Sequence, residues 1–343
     1  MAESSVKLVI KKPRAPADHI RELREEFRKI PSRNGEPLSE STIVNYANKL
    51  SRVCRLVTGE DYSGSIEFLN DPQSVIDRVE GSGLGSKKDY LSPVAKFLKS
   101  RGAPSDIITQ YQAAMTTFKN EQYQKRNENK ATEKEKDNAL PMSDILKYLE
   151  PDAETSGQLQ SKLICQLYFQ NTVVPRNDLP LFRLMNARKK LKPDASHNYI
   201  TILDGVPKEI IMNTYKTSRT YGRQKFPIVG PLKLTLMQYI NAFGRKPGDY
   251  LFQTAGGHPY EKDNFRKLIA QSTLDWLGKP MNVDLIRSII ISDYYNHGPH
   301  SIAEDKEEAR KFLHSESVHK EYMKLDLHGA ERPDSPAEEE ELD

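Results

Sequence analysis

Cysteine is nearly missing from the 343 residues: Cys54 and Cys165 are the two present, each inside a helical apolar pattern. That argues against a disulfide scaffold or a thiolate metal centre, and it fits buried free thiols in a reducing compartment. Long apolar runs are lacking too. No stretch approaches the roughly 18 residues of a membrane span, and Met1 to Lys12 has no signal-peptide core. The expected location is therefore intracellular, with no membrane partner. A single tryptophan and a hydrophobic share of 37% against 29% charged residues describe a highly charged surface. Acid excess is confined to one end. From Glu331 to Asp343 seven acids face one arginine, and with that −6 taken out of the net +3, the rest of the chain carries +9. Such a balance suits a polyanionic partner.

At 343 residues the chain exceeds the roughly 250 at which single cores stop growing, so two domains are expected. Residues 1–36 read as a basic arm (Lys7, Lys11, Lys12, Arg14) followed by a short helix with Ile20, Leu23, Phe27 and Ile30 on one face. Residues 37–118 read as a compact helical domain. Ser39 is the expected N-cap of a helix ending at Gly59, and two more helices are expected over Ile66 to Val79 and, behind a Ser86/Asp89 capping box, over Ser86 to Lys99. A fourth carries Ile108, Tyr111, Met115 and Phe118. Residues 119–140 are nearly all Lys, Glu, Asn and Gln and read as a charged linker. A second domain follows over 141–328, with a helix capped by Ser143, an apolar helix over Leu159 to Phe169, and a strand over Tyr199 to Leu203. A hairpin pairs Glu209 to Tyr215 with Gln224 to Ile228, and further helices span Leu232 to Phe243 and Lys262 to Leu277. The acidic end, 329–343, is expected to stay solvated. The fold class is mainly α with a small antiparallel β-sheet.

Arg287 stands out within Val283-Asp284-Leu285-Ile286-Arg287-Ser288-Ile289-Ile290-Ile291. At ~100° per residue its helical neighbours are Val283, Asp284, Ile290 and Ile291, so an arginine sits on an apolar face. A buried guanidinium cannot shed its proton and is expected to meet a fixed anion, a carboxylate or a bound phosphate. Arg176, in Val173-Val174-Pro175-Arg176-Asn177-Asp178, is a second cation in an apolar segment directly after a helix. Lys216 sits at the turn end of the hairpin, in Tyr215-Lys216-Thr217-Ser218-Arg219-Thr220-Tyr221-Gly222. Downstream come Phe312-Leu313-His314-Ser315 and Tyr322. Taken singly, a hairpin lysine is commonly a solvated charge, and an arginine beside Asp178 commonly a structural ion pair.

Taken in order, Arg176, Lys216, Arg287, His314 and Tyr322 resemble the tyrosine recombinase family. That family has an arginine after a helix, a hairpin lysine, a second arginine, a histidine or tryptophan, and a tyrosine nucleophile. The run into Leu313-His314-Ser315 is similar to the family's leucine-rich approach to Gly-His-Ser, with the glycine missing. Leu38-Ser39-Glu40-Ser41-Thr42-Ile43-Val44-Asn45-Tyr46 is similar to the entry of its helical, SAM-like core-binding domain. The hairpin text is similar to recombinases of large DNA viruses and related mobile elements. The resemblance spans roughly Ser39 to Lys324. Two departures stand out. Asp284 occupies the place, three residues before the second arginine, where the family usually has histidine or lysine. The spacings around His314 also differ slightly, which leaves His300 and His319 as rival placements.

The resemblance implies a helical core-binding domain plus a mixed α/β catalytic domain. It implies a site-specific recombinase or integrase that cuts and rejoins double-stranded DNA through a 3′-phosphotyrosine, without metal, ATP or other cofactor. Tyr322 would be the nucleophile, Arg176 and Arg287 the phosphate clamp, Lys216 the acid for the leaving 5′ oxygen, and His314 a hydrogen-bond donor to the phosphate. Arg219, Arg223, Lys225, Lys87 and Lys88 are the candidate DNA contacts. A homotetramer on DNA, in nucleus or cytoplasm, follows by the same resemblance. A nicking-resealing topoisomerase and a decayed DNA-binding protein of the same fold are the alternatives.

Overall fold

The structure is a computed structural model and describes residues 18–32, 34–188 and 196–327. The basic arm up to residue 17 and the acidic end lie outside the described residues. The chain divides into two units, Met1–Asn127 and Glu128–Asp343.

The first unit contains α1 (Asp18–Arg28), α2 (Glu40–Thr58), α3 (Pro72–Glu80), α4 (Leu84–Ser100) and α5 (Ser105–Asn127). Its core is built from the apolar stripes of these helices: Leu23 and Phe27, Ile43 and Leu50, Val75, Leu91 and Phe97, and Tyr111. Burial of these stripes, rather than helix propensity, stabilises helices of this length. Ser39 caps α2 by accepting the Thr42 N–H at 3.3 Å, and Gly59 closes it in the left-handed conformation.

The segment expected as one helix over Ile66 to Val79 is broken. A 3₁₀ turn, Glu67–Asn70, precedes α3, because Pro72 is tolerated only in a first helical turn and Asp71 caps it. Gly83, rather than Ser86, stands at the N-cap of α4. α5 runs well past Phe118 to Asn127, since the Lys, Glu and Gln residues there are good helix formers that extend an already packed helix.

The second unit opens with α6 (Glu133–Asn138), capped by the Thr132/Glu135 box, then α7 (Met142–Tyr148) and α8 (Ser156–Phe169). Pro141 stands at the N-cap of α7, where Ser143 was expected. Next come β1 (Phe182–Asn186), β2 (Asn198–Leu203), β3 (Val206–Met212), α9 (Ser218–Tyr221) and β4 (Gln224–Pro227). The unit continues with α10 (Gly230–Ala242), α11 (Lys262–Leu277), α12 (Val283–Asn296), α13 (Ile302–Lys311) and α14 (Glu316–Tyr322). The apolar α8 is buried from Ser161 to Phe169 and packs on α10 and α11.

The sheet has the order β1-β2-β3-β4 and is mixed, which corrects the expectation of a purely antiparallel one. β1 runs parallel to β2, while β2–β3 and β3–β4 are antiparallel. β1 is only five residues long, with Arg183 inside it, and offers too short an alternation to be read as a strand. Asp204 and Gly205, at φ 52° and 78°, make a two-residue turn between β2 and β3. No helix among the described residues is long and apolar enough to cross a membrane.

Candidate active site

The segment after α8 is pinned by its main chain. Tyr168 Oη donates to the Arg176 carbonyl at 2.9 Å, Val174 N–H donates to the Lys311 carbonyl at 2.9 Å, and Arg176 N–H donates to Asp178 at 3.1 Å. Asp178 thus engages the backbone of Arg176. The guanidinium reaches elsewhere: Arg176 Nη2 donates to Tyr322 Oη at 2.7 Å.

Arg287 is fully buried in α12, as its apolar face required, but it meets no carboxylate there. Its Nη1 donates to the Val174 carbonyl at 2.8 Å, and its Nη2 donates to the Phe312 carbonyl at 3.1 Å and to His314 Nδ1 at 3.0 Å. Carbonyl dipoles and an imidazole lone pair supply the negative potential that a fixed anion was expected to give. Burial pulls Arg287 down to about 10, so it remains a cation at neutral pH. Its Nε is buried and has no hydrogen-bond partner. The guanidinium carbon lies 4.9 Å from the Phe312 ring and 5.1 Å from the Tyr322 ring, within cation–π range.

His314 leaves α13 through a Schellman turn. Leu313 N–H returns to the Arg310 carbonyl at 3.0 Å and His314 N–H to the Ala309 carbonyl at 3.3 Å, with Leu313 at φ 55°. That backbone conformation favours glycine, and here a leucine adopts it. Ser315 then caps α14.

The Arg287 donor fixes the tautomers. Nδ1 of His314 must accept, so Nε2 carries the proton and donates to His319 Nδ1 at 2.8 Å. Both ring nitrogens of His314 are therefore engaged inside the protein, and His319 is its fully buried support. Burial, then the Arg287 charge, push His314 down to about 2 and His319 down to about 4.

Because these values lie below the ordinary histidine value, the neutral pair stabilises the fold fully above about pH 7. That contribution is lost as pH falls from about 6.5 toward 4, at up to about 1.4 kcal/mol per pH unit for each histidine. The stability advantage of the wild type over His319→Gln is expected to shrink at about that rate between pH 6.5 and 4.5, measured by urea unfolding. A pH-independent difference would contradict the neutral-pair assignment.

Tyr322 is the last residue of α14 and is half-buried. Its hydroxyl accepts from Arg176 and donates to Asp284 Oδ1 at 3.3 Å. Asp284 lies in the first turn of α12, one helical turn before Arg287, and is exposed. The segment beyond Tyr322 is fastened: Lys324 N–H donates to Ser292 Oγ, Leu325 N–H to the Asn129 carbonyl, and Ala131 N–H to Asp326.

Lys216 lies in the connection between β3 and β4. This connection contains the short α9 and is more than a tight hairpin turn. It is anchored by Thr217 Oγ1 donating to the Leu313 carbonyl at 2.5 Å and Tyr215 Oη donating to the Gly222 carbonyl at 2.6 Å. Lys216 is exposed and lines a cleft together with Arg176, Tyr221, Leu313 and His314.

Of the other cations, Arg219 and Arg223 are exposed on the same connection. Lys225 on β4 lies 3.6 Å from Glu209. In the first unit Lys87 packs over Phe118 with its ammonium 5.0 Å from the ring centre, and Lys88 is half-buried on α4. The rival histidine His300 stacks on Tyr294 and bonds to the Tyr294 carbonyl. No group of residues able to hold a metal ion occurs among the described residues.

No family model matches the chain, and no curated protein matches it in sequence. Among solved structures, the crystal structure of XerA recombinase overlaps it with a TM-score of 0.39 at 12% identity, over 89% of this chain and 94% of that one. An overlap of that extent leaves the functional reading to the residues themselves.

Proposed function

We propose that this chain is a DNA strand-transfer enzyme of the tyrosine recombinase type, in which Tyr322 attacks a backbone phosphate and forms a 3′-phosphotyrosine. The observation that carries the reading is the convergence of side chains from far-apart parts of the sequence. Arg176 donates to Tyr322 Oη, Arg287 lies against the Tyr322 ring and on His314, and Lys216 shares a cleft with Arg176 and His314.

A phosphodiester anion repels nucleophiles, and two guanidiniums offset the charge that builds on its non-bridging oxygens in the transition state. Arg176 has donors beyond the one on Tyr322, and the unpartnered Arg287 Nε is a donor that a phosphate oxygen would satisfy. His314 acts by holding Arg287 rather than by touching phosphate, since both its ring nitrogens are occupied. Lys216 is the acid for the departing 5′ oxygen. The exposed Arg219 and Arg223 flank the strand, and Lys87, Lys88 and Lys225 contribute to a sequence-independent hold on phosphate. The covalent link conserves the phosphodiester energy, so a second 5′ hydroxyl reverses the step; two such exchanges on a homotetramer give recombination.

The test is covalent trapping on a pool of nicked duplexes of randomised sequence, resolved under denaturing conditions. A protein–DNA adduct is expected. Salt-sensitive binding with no adduct would favour the DNA-binding alternative, and relaxation of supercoiled plasmid at any sequence would favour the topoisomerase one.

A further inference from the structure

His319 is fully buried behind His314, and polar groups left over by the rest of the fold gather on its far side. Its Nδ1 accepts from His314, so its own ring proton sits on Nε2. That Nε2 has no hydrogen-bond partner in the protein, and neither Asp305 Oδ1 nor the Tyr294 hydroxyl has one. Tyr294 belongs to α12, Asp305 to α13 and His319 to α14, and Asp305 is only 7% exposed. The Tyr294 and His319 ring centres lie 6.3 Å apart. Lys320, next to His319 in the chain, reaches Asp305 Oδ2 at 3.4 Å, and Phe312 stands edge-on to His319 with ring centres at 5.0 Å. Burial, then the Asp305 charge, raise Tyr294 to about 12, so its hydroxyl keeps its proton. Burial and the Arg287 charge depress His319, and the Asp305 charge opposes them. Buried polar groups are as a rule paired, with protein or with ordered water. A ring N–H, a carboxylate oxygen and a hydroxyl around one interior are the partners that a single water takes.

We infer that Asp305 is the terminal acceptor of a buried hydrogen-bond chain that starts at Arg287, reached from His319 Nε2 through one water that Tyr294 also holds. Asp305 is then a positioning residue, since it acts on the phosphate site only through the two histidines. The inference deepens the strand-transfer reading above and rests on it for its effect on rate.

Each link donates in the same sense. Arg287 Nη2 donates to His314 Nδ1, and His314 Nε2 to His319 Nδ1. The His319 proton then points onward to the carboxylate. A guanidinium only donates and a carboxylate only accepts, so a chain with these two ends has a single arrangement of its protons. Hydrogen bonds aligned in this way also polarise one another in a low-dielectric interior. The consequence for the site is geometric: the His314 lone pair stays on Arg287, and the guanidinium keeps its plane while a phosphate docks. A carboxylate set behind an imidazole is a general device for fixing tautomer and ring orientation.

The test reads the histidine ring nitrogens by NMR in the full chain with isotope-labelled histidine, for wild type, Asp305→Leu and Asp305→Asn, alongside single-turnover adduct formation on the nicked-duplex pool. In the wild type, His314 and His319 are both expected in the Nε2–H tautomer, with a His319 ring proton that is shifted downfield and slow to exchange. Asp305→Leu is expected to move the His319 and His314 resonances together and to speed that exchange, while the exposed His297 stays put. Adduct formation is expected to slow about 10–100-fold, with DNA binding near wild type. Asp305→Asn, which still offers an oxygen, is expected to recover most of the rate and of the resonance positions. A wild-type His319 protonated on Nδ1 would overturn the inference without any variant being made. Ring resonances unmoved by either substitution, or a wild-type adduct rate in Asp305→Leu, would overturn it and leave the strand-transfer reading standing. No adduct from the wild type would overturn the strand-transfer reading and with it the effect on rate, while the resonances still decide whether Asp305 ends the chain.

Discussion

Arg287→Ala is expected to cost about 3–5 kcal/mol of folding stability and to eliminate adduct formation. The guanidinium is fully buried and ties three separate segments together: the turn at Val174, the end of α13 at Phe312, and His314. Removing it leaves two carbonyls and an imidazole nitrogen without donors, each costing about 1–3 kcal/mol, along with a cavity beside Phe312 and Tyr322. The offset is the released cost of burying a charge, which keeps the sum below the total of its parts. Arg287→Lys is expected to recover only part of the loss, since an ammonium cannot fork between Val174 and Phe312. Urea unfolding gives the number, and a loss below about 1 kcal/mol for Arg287→Ala would mean that Arg287 does not hold these segments together.

Tyr322→Phe separates chemistry from folding. The ring and its packing over Arg287 remain, and only the hydroxyl contacts to Arg176 and Asp284 go. Stability is expected to stay within about 1 kcal/mol of wild type, since the lost bonds lie at a half-exposed position. DNA binding is expected to be equal or tighter, because Arg176 no longer spends a donor on the phenol. Adduct formation is expected to vanish. An unchanged adduct yield would exclude Tyr322 as the nucleophile.

Much of this site was legible in the sequence because its residues break local rules. An arginine inside Leu285-Ile286-Arg287-Ser288-Ile289 cannot be a surface charge, and its burial follows from helix periodicity alone. Its partners were not legible. The Val174 and Phe312 carbonyls belong to the main chain, and no side-chain pattern announces them. The position of His314 was readable from Leu313-His314-Ser315, whereas the left-handed turn that presents it was hidden, because leucine stands where glycine would have signalled it. His319 appeared only as a rival for His314 and proves to be its support.

In the sheet, β2 and the β3–β4 pairing were visible from alternation. The parallel β1 was not, since parallel partners carry no turn signal between them. Asp204-Gly205 is a strong hairpin signal that places the start of β3 earlier than hydrophobic alternation alone suggests. Asp284 is the clearest case of a contact that needs geometry: the sequence marks it only as an unusual residue three before Arg287, and the fold brings it to 3.3 Å from Tyr322 Oη.

The most direct test of the central claim is to locate the covalent bond. After trapping on nicked duplexes, nuclease digestion leaves a nucleotide remnant on the protein, and peptide mass spectrometry identifies the modified residue. The account predicts a 3′-nucleotide phosphodiester on Tyr322, absent from Tyr322→Phe. A remnant on any other residue, or DNA bound tightly with no remnant, would contradict it.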